Sequence, residues 1–268
     1  MIINSFDNSR KAIINPEDIN SPIKGFPKTV ITCFARETFN RILEELPHRE
    51  IARTSVANLE IPIYELEFKE QKIGFFNAYV GASACVAILE DIIVFGMENL
   101  IVFGTCGVLD SSIEETSIII PRSAIRDEGT SIIIPRSAIR DEGTSFHYSE
   151  ASSEIAVNTK FHEEFKSFLD RQAVSYTEGK VWTTDGIYRE TVDKMLEHKR
   201  NGAICVDMEC SAIAALSKFR NINHFQFFYS ADNLDAEVWE ARSLGNSEDL
   251  EKKDKIAYIA MEFAIETF

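Results

Sequence analysis

The sequence predicts an α/β domain whose sheet is covered by helices on its faces. Short apolar runs alternate along the chain with segments in which apolar residues recur at helical spacing. Strand, helix and strand follow one another in that order, which is typical of a sheet with covered faces. The 268 residues suit one such domain and can bury a large core without disulfides or metals.

The charge balance excludes several classes of partner. The chain has 28 basic and 43 acidic residues, a net charge of −15 at pH 7. Neither a nucleic-acid backbone nor an anionic membrane is therefore an expected partner. The most apolar stretch, 84–103, contains Glu90, Asp91 and Glu98 and does not suit a membrane span.

The cysteines and the first residues indicate a cytoplasmic protein. The five cysteines form no C-x-x-C motif and lie mostly in apolar context, which is typical of core residues in a reducing compartment. The first residues lack the basic and long apolar regions of a signal peptide. We expect no metal site and no disulfide.

The first half of the chain predicts a lead-in followed by alternating strands and helices. Three prolines and a glycine make residues 1–27 an irregular lead-in. An apolar run at 28–34 predicts the first core strand, and helical spacing over 37–46 stops before Pro47. The other predicted elements are a hairpin over 60–68 and 72–80, a helix over 81–95, a strand at 100–103 and a glycine-rich turn at 104–107.

The second half continues this alternation. It contains no linker, so we expect residues 28–268 to form one domain. An apolar run at 203–206 leads into a helical face formed by Met208, Ala212, Ala215 and Phe219. The other predicted elements are a helix over 155–170, strands at 181–184 and 225–230, and an amphipathic closing helix over 248–267.

One 14-residue segment occurs twice in tandem. Residues 116–129 and 130–143 share the sequence TSIIIPRSAIRDEG. Two copies are too few for a solenoid. Because the copies are identical, either Ser-Ile-Ile-Ile-Pro can form one strand of the sheet. The other copy is then a 14-residue insertion, and the entropy of loop closure penalises such an insertion only weakly. We favour the second copy in the sheet, since it is contiguous with Phe146, His147 and Tyr148.

Two carboxylates stand at a strand-to-helix junction. Asp207 and Glu209 follow the apolar run that ends at Val206. They have two interpretations. Acids are stabilised at a helix N-terminus and can cap it. Alternatively, an ionised carboxylate only accepts hydrogen bonds, which suits the two neighbouring hydroxyls of a ribose.

The junction also carries a family resemblance. Val206-Asp207-Met208-Glu209, followed by a helix of small residues, resembles the V-E-M-E signature of the nucleoside phosphorylase and nucleosidase superfamily. The likeness extends from about Thr29 to the C-terminus. It implies a three-layer α/β fold with a central mixed sheet, partly barrel-like and flanked by helices. It also implies that Glu209 holds the ribose hydroxyls beside Asp207 and that Met208 packs on the sugar.

A second segment resembles the phosphate site of the family. Ile-Val-Phe-Gly-Thr-Cys-Gly, residues 101–107, is similar to the I-R-x-G-[ST]-x-G segment, which makes Gly104 and Thr105 candidate phosphate contacts. The chain departs from the family in two ways. Val102 stands where the family phosphorylases have an arginine, and the G-D-P-x-R loop is missing. Arg36 and Arg53 are the candidate replacements.

Further segments resemble the nucleoside site. Tyr79–Ser83 is similar to the segment that places a glycine, here Gly81, near the ribose. Arg140–Tyr148 resembles the R-x-D-G-x-S-x-H-[FY] segment of uridine phosphorylases and predicts His147 near the site. Thr183–Arg189 resembles the strand and loop that pass over the base, with Ile187 and Tyr188 as its apolar wall.

The segment Ser230–Asp235 indicates a purine. It resembles the S-D-x-x-D segment of purine phosphorylases and nucleosidases, with Asp232 as the catalytic aspartate. A carboxyl group with a raised pKa can protonate purine N7 as the glycosidic bond breaks. Thr191 and Asp193 stand where uridine phosphorylases have the Gln and Arg that bind uracil. An alternative interpretation is that Asp232 and Asn233 only turn the chain.

The resemblance predicts a nucleoside phosphorylase that gives free base and ribose 1-phosphate. Phosphate is the co-substrate, no cofactor is needed, and the expected assembly is a homo-oligomer, either a dimer or a trimer of dimers. A nucleosidase using water, with Glu37 as base, is one alternative. A non-catalytic nucleoside-binding protein of the same fold is another. A dinucleotide-binding oxidoreductase is disfavoured, because no G-x-G-x-x-G with a following acid occurs.

Overall fold

The computed structural model describes residues 6–113, 132–244 and 250–268. The strands of this part of the chain are β1 Thr29–Cys33, β2 His48–Val56, β3 Leu59–Phe68, β4 Gln71–Asn77, β5 Asn99–Val108, β6 Ile132–Asp141, β7 Glu154–Ala156, β8 Tyr176–Thr184, β9 Ala203–Asp207 and β10 Asn223–Asn233. Its helices are α1 Pro16–Ile19, α2 Arg36–Glu45, α3 Ala82–Phe95, α4 Ser145–Tyr148, α5 His162–Arg171, α6 Val192–Arg200, α7 Cys210–Arg220 and α8 Leu250–Thr267.

The described strands form one mixed sheet that partly closes into a barrel. The strand order is β10-β6-β8-β9-β5-β1-β4-β3-β2, β7 pairs with β6, and β10 also pairs with β5. The β10–β5 pairing closes β5, β9, β8, β6 and β10 into a ring, while β1, β4, β3 and β2 extend from it as an open wing. The predicted mixed, partly barrel-like sheet is confirmed.

Alternating side chains bury both faces of the sheet. Ile31 and Phe103 belong to a core that also contains Phe263 of α8 and residues of α2 and α5. Val30 and Val102, one position away on the same strands, belong to a second core with residues of α3 and α7. Successive side chains of a strand point to opposite faces, so helices cover the sheet on both sides, as predicted.

Several helices and strands occur where the sequence pattern predicts them. Strand β1, helices α2, α3 and α8, and the β3–β4 hairpin are confirmed. Lys69 and Glu70 join the hairpin with φ values of 48° and 65°, and two positive φ values are the geometry that matches the twist of paired strands. Strand β2, whose residues are mostly exposed or half-buried, was not predicted and extends the hairpin to a meander.

Three predictions of local structure are wrong. The segment 104–107 is not a turn, because β5 continues through it and pairs with both β9 and β10. The helix predicted from residue 155 starts only at His162, since Glu154–Ala156 pairs with β6. The lead-in contains the short helix α1, and Phe26 is buried against Phe95 of α3.

The second copy of the repeat forms β6, as expected. Ile132–Asp141 pairs in parallel with β8 and antiparallel with β10 and β7. The register shifts between Pro135 and Ser137, which accommodates a residue without an N–H group. The first copy, 116–129, lies outside the described residues.

The five cysteines are free and buried in the core, as predicted. Within the described ranges, no helix combines the length and apolarity needed to cross a membrane.

Candidate functional site

A cavity of about 710 Å³ opens at one end of the barrel. Its volume lies in the range of small-molecule sites. Residues from the ends of β5, β9 and β10 and from the loops after β8 and β10 surround it. Its described lining consists of Phe34, Val80, Thr105, Cys106, Gly107, Ile187, Tyr188, Glu190, Val192, Met195, Val206, Asp207, Met208, Glu209, Asp232, Leu234, Ala236, Glu237, Trp239 and Leu244.

A bulge in β10 aims Asp232 into this cavity. Ser230 pairs with Cys106 and Asp232 pairs with the next residue, Gly107, so Ala231 is an extra residue in the ladder. Bulges re-aim side chains and are frequent beside active sites. A Cβ at Gly107 would lie 3.1 Å from Asp232 Oδ1 and 2.4 Å from Leu234 Cδ1. The glycine therefore leaves the space that these two side chains occupy.

The Asp232 carboxyl group is held by an indole. Trp239 Nε1 donates a hydrogen bond of 2.9 Å to its Oδ2. Burial raises the pKa of Asp232, and the Trp239 bond opposes that rise because it favours the charged form. Glu190 shares the cavity, and burial, with a contribution from Asp232, raises the pKa of Glu190 to about 7.

Asp207 caps helix α7. Its Oδ2 accepts the backbone N–H groups of Glu209 and Cys210 at 3.1 and 2.7 Å, and its Oδ1 accepts the Thr183 hydroxyl at 2.7 Å. Burial raises the pKa of Asp207, and these three bonds oppose the rise. The capping interpretation thus describes Asp207, which lies in the cavity wall with its oxygens already bonded.

Glu209 is bonded differently. Its Oε1 accepts the backbone N–H of Gly81 at 2.5 Å, at the start of α3. Burial is the main cause of the raised pKa of Glu209, and the Asp207 charge adds to it. Gly81 has φ +107°, a conformation that only glycine adopts readily. Glu209 lies in the cavity wall, and its carboxyl group has lone pairs left beyond the one that accepts the Gly81 N–H, as a ligand for ribose hydroxyls requires.

The structure brings most of the other predicted nucleoside residues to the cavity. Met208 and Thr105 are half-buried in its wall. Ile187 and Tyr188 lie on a short 3-10 turn at its rim, 49% and 95% exposed. Gly81 is not in the wall itself but adjoins Val80, which is.

Five predicted residues lie elsewhere and are corrections. Arg53 lies on β2, where Glu50 and Glu60 hold its guanidinium at 2.8 and 2.9 Å. Arg36 and Glu37 are exposed in the first turn of α2, and His147 is exposed on α4. Gly104 is buried inside β5, where a Cβ would lie 2.9 Å from Phe34 Cδ2.

Arg140, the first residue of the segment that predicted His147, has a structural role. It is 6% exposed and donates to Ser145 Oγ at 2.8 Å and to the Glu150 carbonyl at 2.6 Å. These bonds fasten the loop that carries α4. The likeness of Arg140–Tyr148 thus marks a folded loop, and it does not place a histidine at the cavity.

Sequence reasoning missed several lining residues, most importantly Glu190 and Trp239. Glu190 follows the predicted base segment directly, so an extension of that segment by one residue finds it. Trp239 carries no such signal, because it reaches Asp232 through a turn seven residues later. The other missed lining residues are Phe34, Val80, Cys106, Gly107, Val192, Met195, Val206, Leu234, Ala236, Glu237 and Leu244.

The charged part of the described lining is acidic. Five carboxyl groups face or border the cavity, from Glu190, Asp207, Glu209, Asp232 and Glu237, and no Lys, Arg or His is among the described lining residues. Desolvation raises the pKa values of the four more buried carboxyl groups. The cavity is therefore suited to hydrogen-bond donors, to a developing positive charge and to proton donation.

Comparisons with solved structures agree with this fold. A uridine phosphorylase from Vibrio fischeri ES114 superposes with a TM-score of 0.72 at 19% identity, over 96% of this chain and all of that one. A purine nucleoside phosphorylase from Toxoplasma gondii, solved with immucillin-H, also gives 0.72, at 15% identity over 92% of this chain and 97% of that one. At these identities the likeness establishes the three-layer fold.

Comparisons of sequence give the family. A DeoD-type purine nucleoside phosphorylase from Bacillus cereus is 23% identical over 168 residues, 62% of this chain and 66% of the relative, just under two thirds of its length. A 5'-methylthioadenosine/S-adenosylhomocysteine nucleosidase from Buchnera aphidicola is 28% identical over 60% of this chain and 67% of the relative. The model of the phosphorylase superfamily matches residues 28–262. With this match over most of its length, the chain belongs to the phosphorylase superfamily.

Proposed function

We propose that this protein cleaves the N-ribosidic bond of a purine nucleoside and uses phosphate to give free base and ribose 1-phosphate. The observation that carries the proposal is that Glu209 and Asp232 face one cavity with different partners. The first has acceptor capacity for a sugar, and the second has a raised pKa suited to a leaving base.

Glu209 binds the ribose. The carboxyl group keeps its Gly81 bond and accepts the 2′ and 3′ hydroxyls with its remaining lone pairs. Two donors from the sugar favour its ionised form, so substrate binding lowers the pKa that burial has raised. The resulting negative charge stabilises the oxocarbenium-like transition state. Met208, half-buried in the wall beside Glu209, packs against the sugar.

Asp232 assists departure of the base. As the bond from C1′ to N9 breaks, its electron pair passes to the purine, and the Asp232 carboxyl proton passes to N7. The Trp239 indole then stabilises the carboxylate left behind. Ile187 and Tyr188 at the rim form the apolar wall for the purine.

Phosphate attacks C1′ from the side of Thr105, which lies in the cavity wall. A phosphate oxygen forms the new bond to C1′ and completes ribose 1-phosphate, and no cofactor takes part. The purine nucleoside phosphorylase among the relatives supports this nucleophile. By analogy with the family we also propose a homo-oligomer, a dimer or a trimer of dimers, which light scattering of the purified protein tests.

Hydrolysis is the second candidate, and the acidic lining favours it. A phosphate dianion is repelled by nearby carboxylates, whereas water is not. The nucleosidase among the relatives is consistent with this candidate.

Release of free base from a panel of purine and pyrimidine nucleosides, with and without phosphate, tests the proposal. Phosphate-dependent release of a purine base together with ribose 1-phosphate supports a phosphorylase, and release that is indifferent to phosphate establishes a nucleosidase. Glu209→Ala serves as the blank. If no nucleoside is cleaved although nucleosides bind, the protein is a non-catalytic member of the superfamily.

A further inference from the structure

Large apolar side chains surround the mouth of the cavity and are exposed to solvent. They belong to Val80, Ile187, Tyr188, Val192 and Trp239, which all line the cavity. Val192 is 68% exposed and Trp239 is 58% exposed. Contact between apolar surface and water is unfavourable in proportion to the exposed area, and an exposed apolar patch at a pocket marks a binding surface. A ligand with an apolar group would cover these side chains and be held by them.

Part of this apolar surface continues from Asp232 to helix α6. Trp239 donates its hydrogen bond to Asp232, and Leu234 lies in the cavity wall two residues further along the chain. Leu234 also packs against the buried cluster that contains Met195 of α6. Val192 stands one turn before Met195 on the same helix, and both residues line the cavity. We call Val192, Met195, Leu234 and Trp239 the apolar end of the cavity.

The apolar end adjoins the proposed position of the base. Trp239 contacts Asp232, the group that faces the leaving base, whereas the sugar ligand Glu209 is bonded to Gly81 at the start of α3. The cavity volume of about 710 Å³ lies in the upper half of the range for sites of drug-sized ligands, roughly 300–1,000 Å³. The cavity therefore has room for a nucleoside whose base carries a substituent.

We propose that the apolar end binds an alkyl chain at position 6 of the purine, so that the protein prefers 6-alkylamino purine nucleosides to unsubstituted ones. The inference rests on the proposed function, which sets N7 of the base against Asp232. It assigns the substrate class, and it names Val192 as a residue that determines specificity.

The shape of the purine explains why position 6 is the attachment point. The N7 atom and the group at position 6 lie side by side on one edge of the base, and position 6 is the one further from N9 and the sugar. A chain attached there starts beside Asp232 and leads away from Glu209. Trp239 and Leu234 adjoin Asp232 on the protein side, so the chain meets apolar side chains.

A series of N6-alkyl nucleosides tests the inference through chain length. Adenosine and its N6-methyl, N6-propyl and N6-pentyl derivatives differ only in the apolar chain. Burial of each CH2 group strengthens binding by about 4-fold, so kcat/KM should rise along the series until the chain extends beyond the cavity. Adenosines with the same chains attached through sulfur at the 5′ carbon carry them on the sugar, and their kcat/KM should rise less steeply.

Two variants of α6 provide a matched pair. Val192→Ser removes an exposed apolar side chain from the cavity wall, so the ratio of kcat/KM for N6-pentyladenosine to that for adenosine should fall by about 4- to 15-fold, the value of one to two buried carbon groups. Leu196→Ser removes an exposed apolar side chain one turn further along α6, outside the described lining, and should leave this ratio unchanged.

Binding of the free bases separates this inference from the proposed function. Calorimetry with adenine and the N6-alkyladenines reports base recognition without turnover, and circular dichroism checks that each variant is folded. If affinity rises with chain length and Val192→Ser reduces the rise, the inference stands even when no nucleoside is cleaved, and the proposed function alone fails.

Three results overturn the inference while leaving nucleoside cleavage intact. They are equal affinities along the N6-alkyl series, an equally steep rise for the 5′-substituted series, and a rise that Val192→Ser leaves unchanged. Equal affinities would assign the exposed apolar side chains to contact with a second copy of the chain, which light scattering detects as a dimer that Val192→Ser weakens.

Discussion

Replacing Gly81 with alanine should weaken both the fold and the sugar site. Gly81 has φ +107° and ψ 130° at the start of α3, and its N–H donates to Glu209 Oε1. A Cβ added there meets no atom within 4 Å, so the effect comes from backbone strain alone. Such strain in a residue other than glycine costs about 1–3 kcal/mol.

The backbone strain at position 81 also affects the sugar site. The chain relieves this strain by rotating the peptide group whose N–H donates to Glu209. Glu209 then loses its bond from Gly81, and a hydrogen bond to a charged group contributes about 1.5–3 kcal/mol. If the loss is expressed in the transition state, kcat/KM falls by about 10- to 100-fold. The pKa of Glu209 also rises, because the lost bond is one of the interactions that oppose the effect of burial.

Gly25 offers a matched control. It also has a positive φ, +78°, and open space around its Cβ position, and it lies outside the described lining. Urea denaturation should show that Gly25→Ala and Gly81→Ala both lower the free energy of unfolding, and steady-state assays should show that only Gly81→Ala lowers kcat/KM. A Gly81→Ala protein with unchanged stability, or an equal loss of activity in Gly25→Ala, would refute the reasoning.

Three further changes test the other assignments. Trp239→Phe removes the donor to Asp232, so the pKa of that group rises and the alkaline limb of the pH–rate profile should move to higher pH; a limb that stays in place argues against Asp232 as the proton donor. Asp207→Ala leaves two N–H groups of α7 without an acceptor and should lower the free energy of unfolding, measured in urea, by about 1–3 kcal/mol; unchanged stability contradicts the capping role. Arg53→Ala breaks the exposed ion pairs with Glu50 and Glu60 and should change the free energy of unfolding by less than about 1 kcal/mol, with the KM for phosphate unchanged; a large rise in that KM would restore Arg53 as a phosphate ligand.

The sequence predicts those parts of the fold whose signal is local. Helical spacing located α2, because burial of one helix face imposes a period on neighbouring residues, and the polar break at 69–71 located the β3–β4 hairpin. Strand β2 has no such period, since it lies at the open edge of the wing and buries only Thr54. Periodicity therefore does not reveal the pairing of β2 with β3, nor the ion pair between Arg53 and Glu60 that this pairing allows.

The candidate site was predictable where one strand supplies the residues and unpredictable where strands meet. The junction at Asp207 and Glu209 could be recognised from contiguous residues, although their division into a cap and a cavity ligand depends on Thr183 and Gly81 from elsewhere. The bulge at Ala231 arises from the register between β10 and β5. No pattern within β10 alone specifies it, because register is a property of two strands.

Strand β6 consists entirely of residues that also occur 14 positions earlier. Removal of 116–129 and removal of 130–143 therefore yield one and the same polypeptide. A shortened chain carries no record of which copy was lost, and every side chain of β6 is still present in it. An in-frame loss of either unit from the gene therefore encodes the same shortened protein. Comparison of the base release of this shortened protein with that of the full chain measures what the extra unit contributes, independently of which copy occupies the sheet.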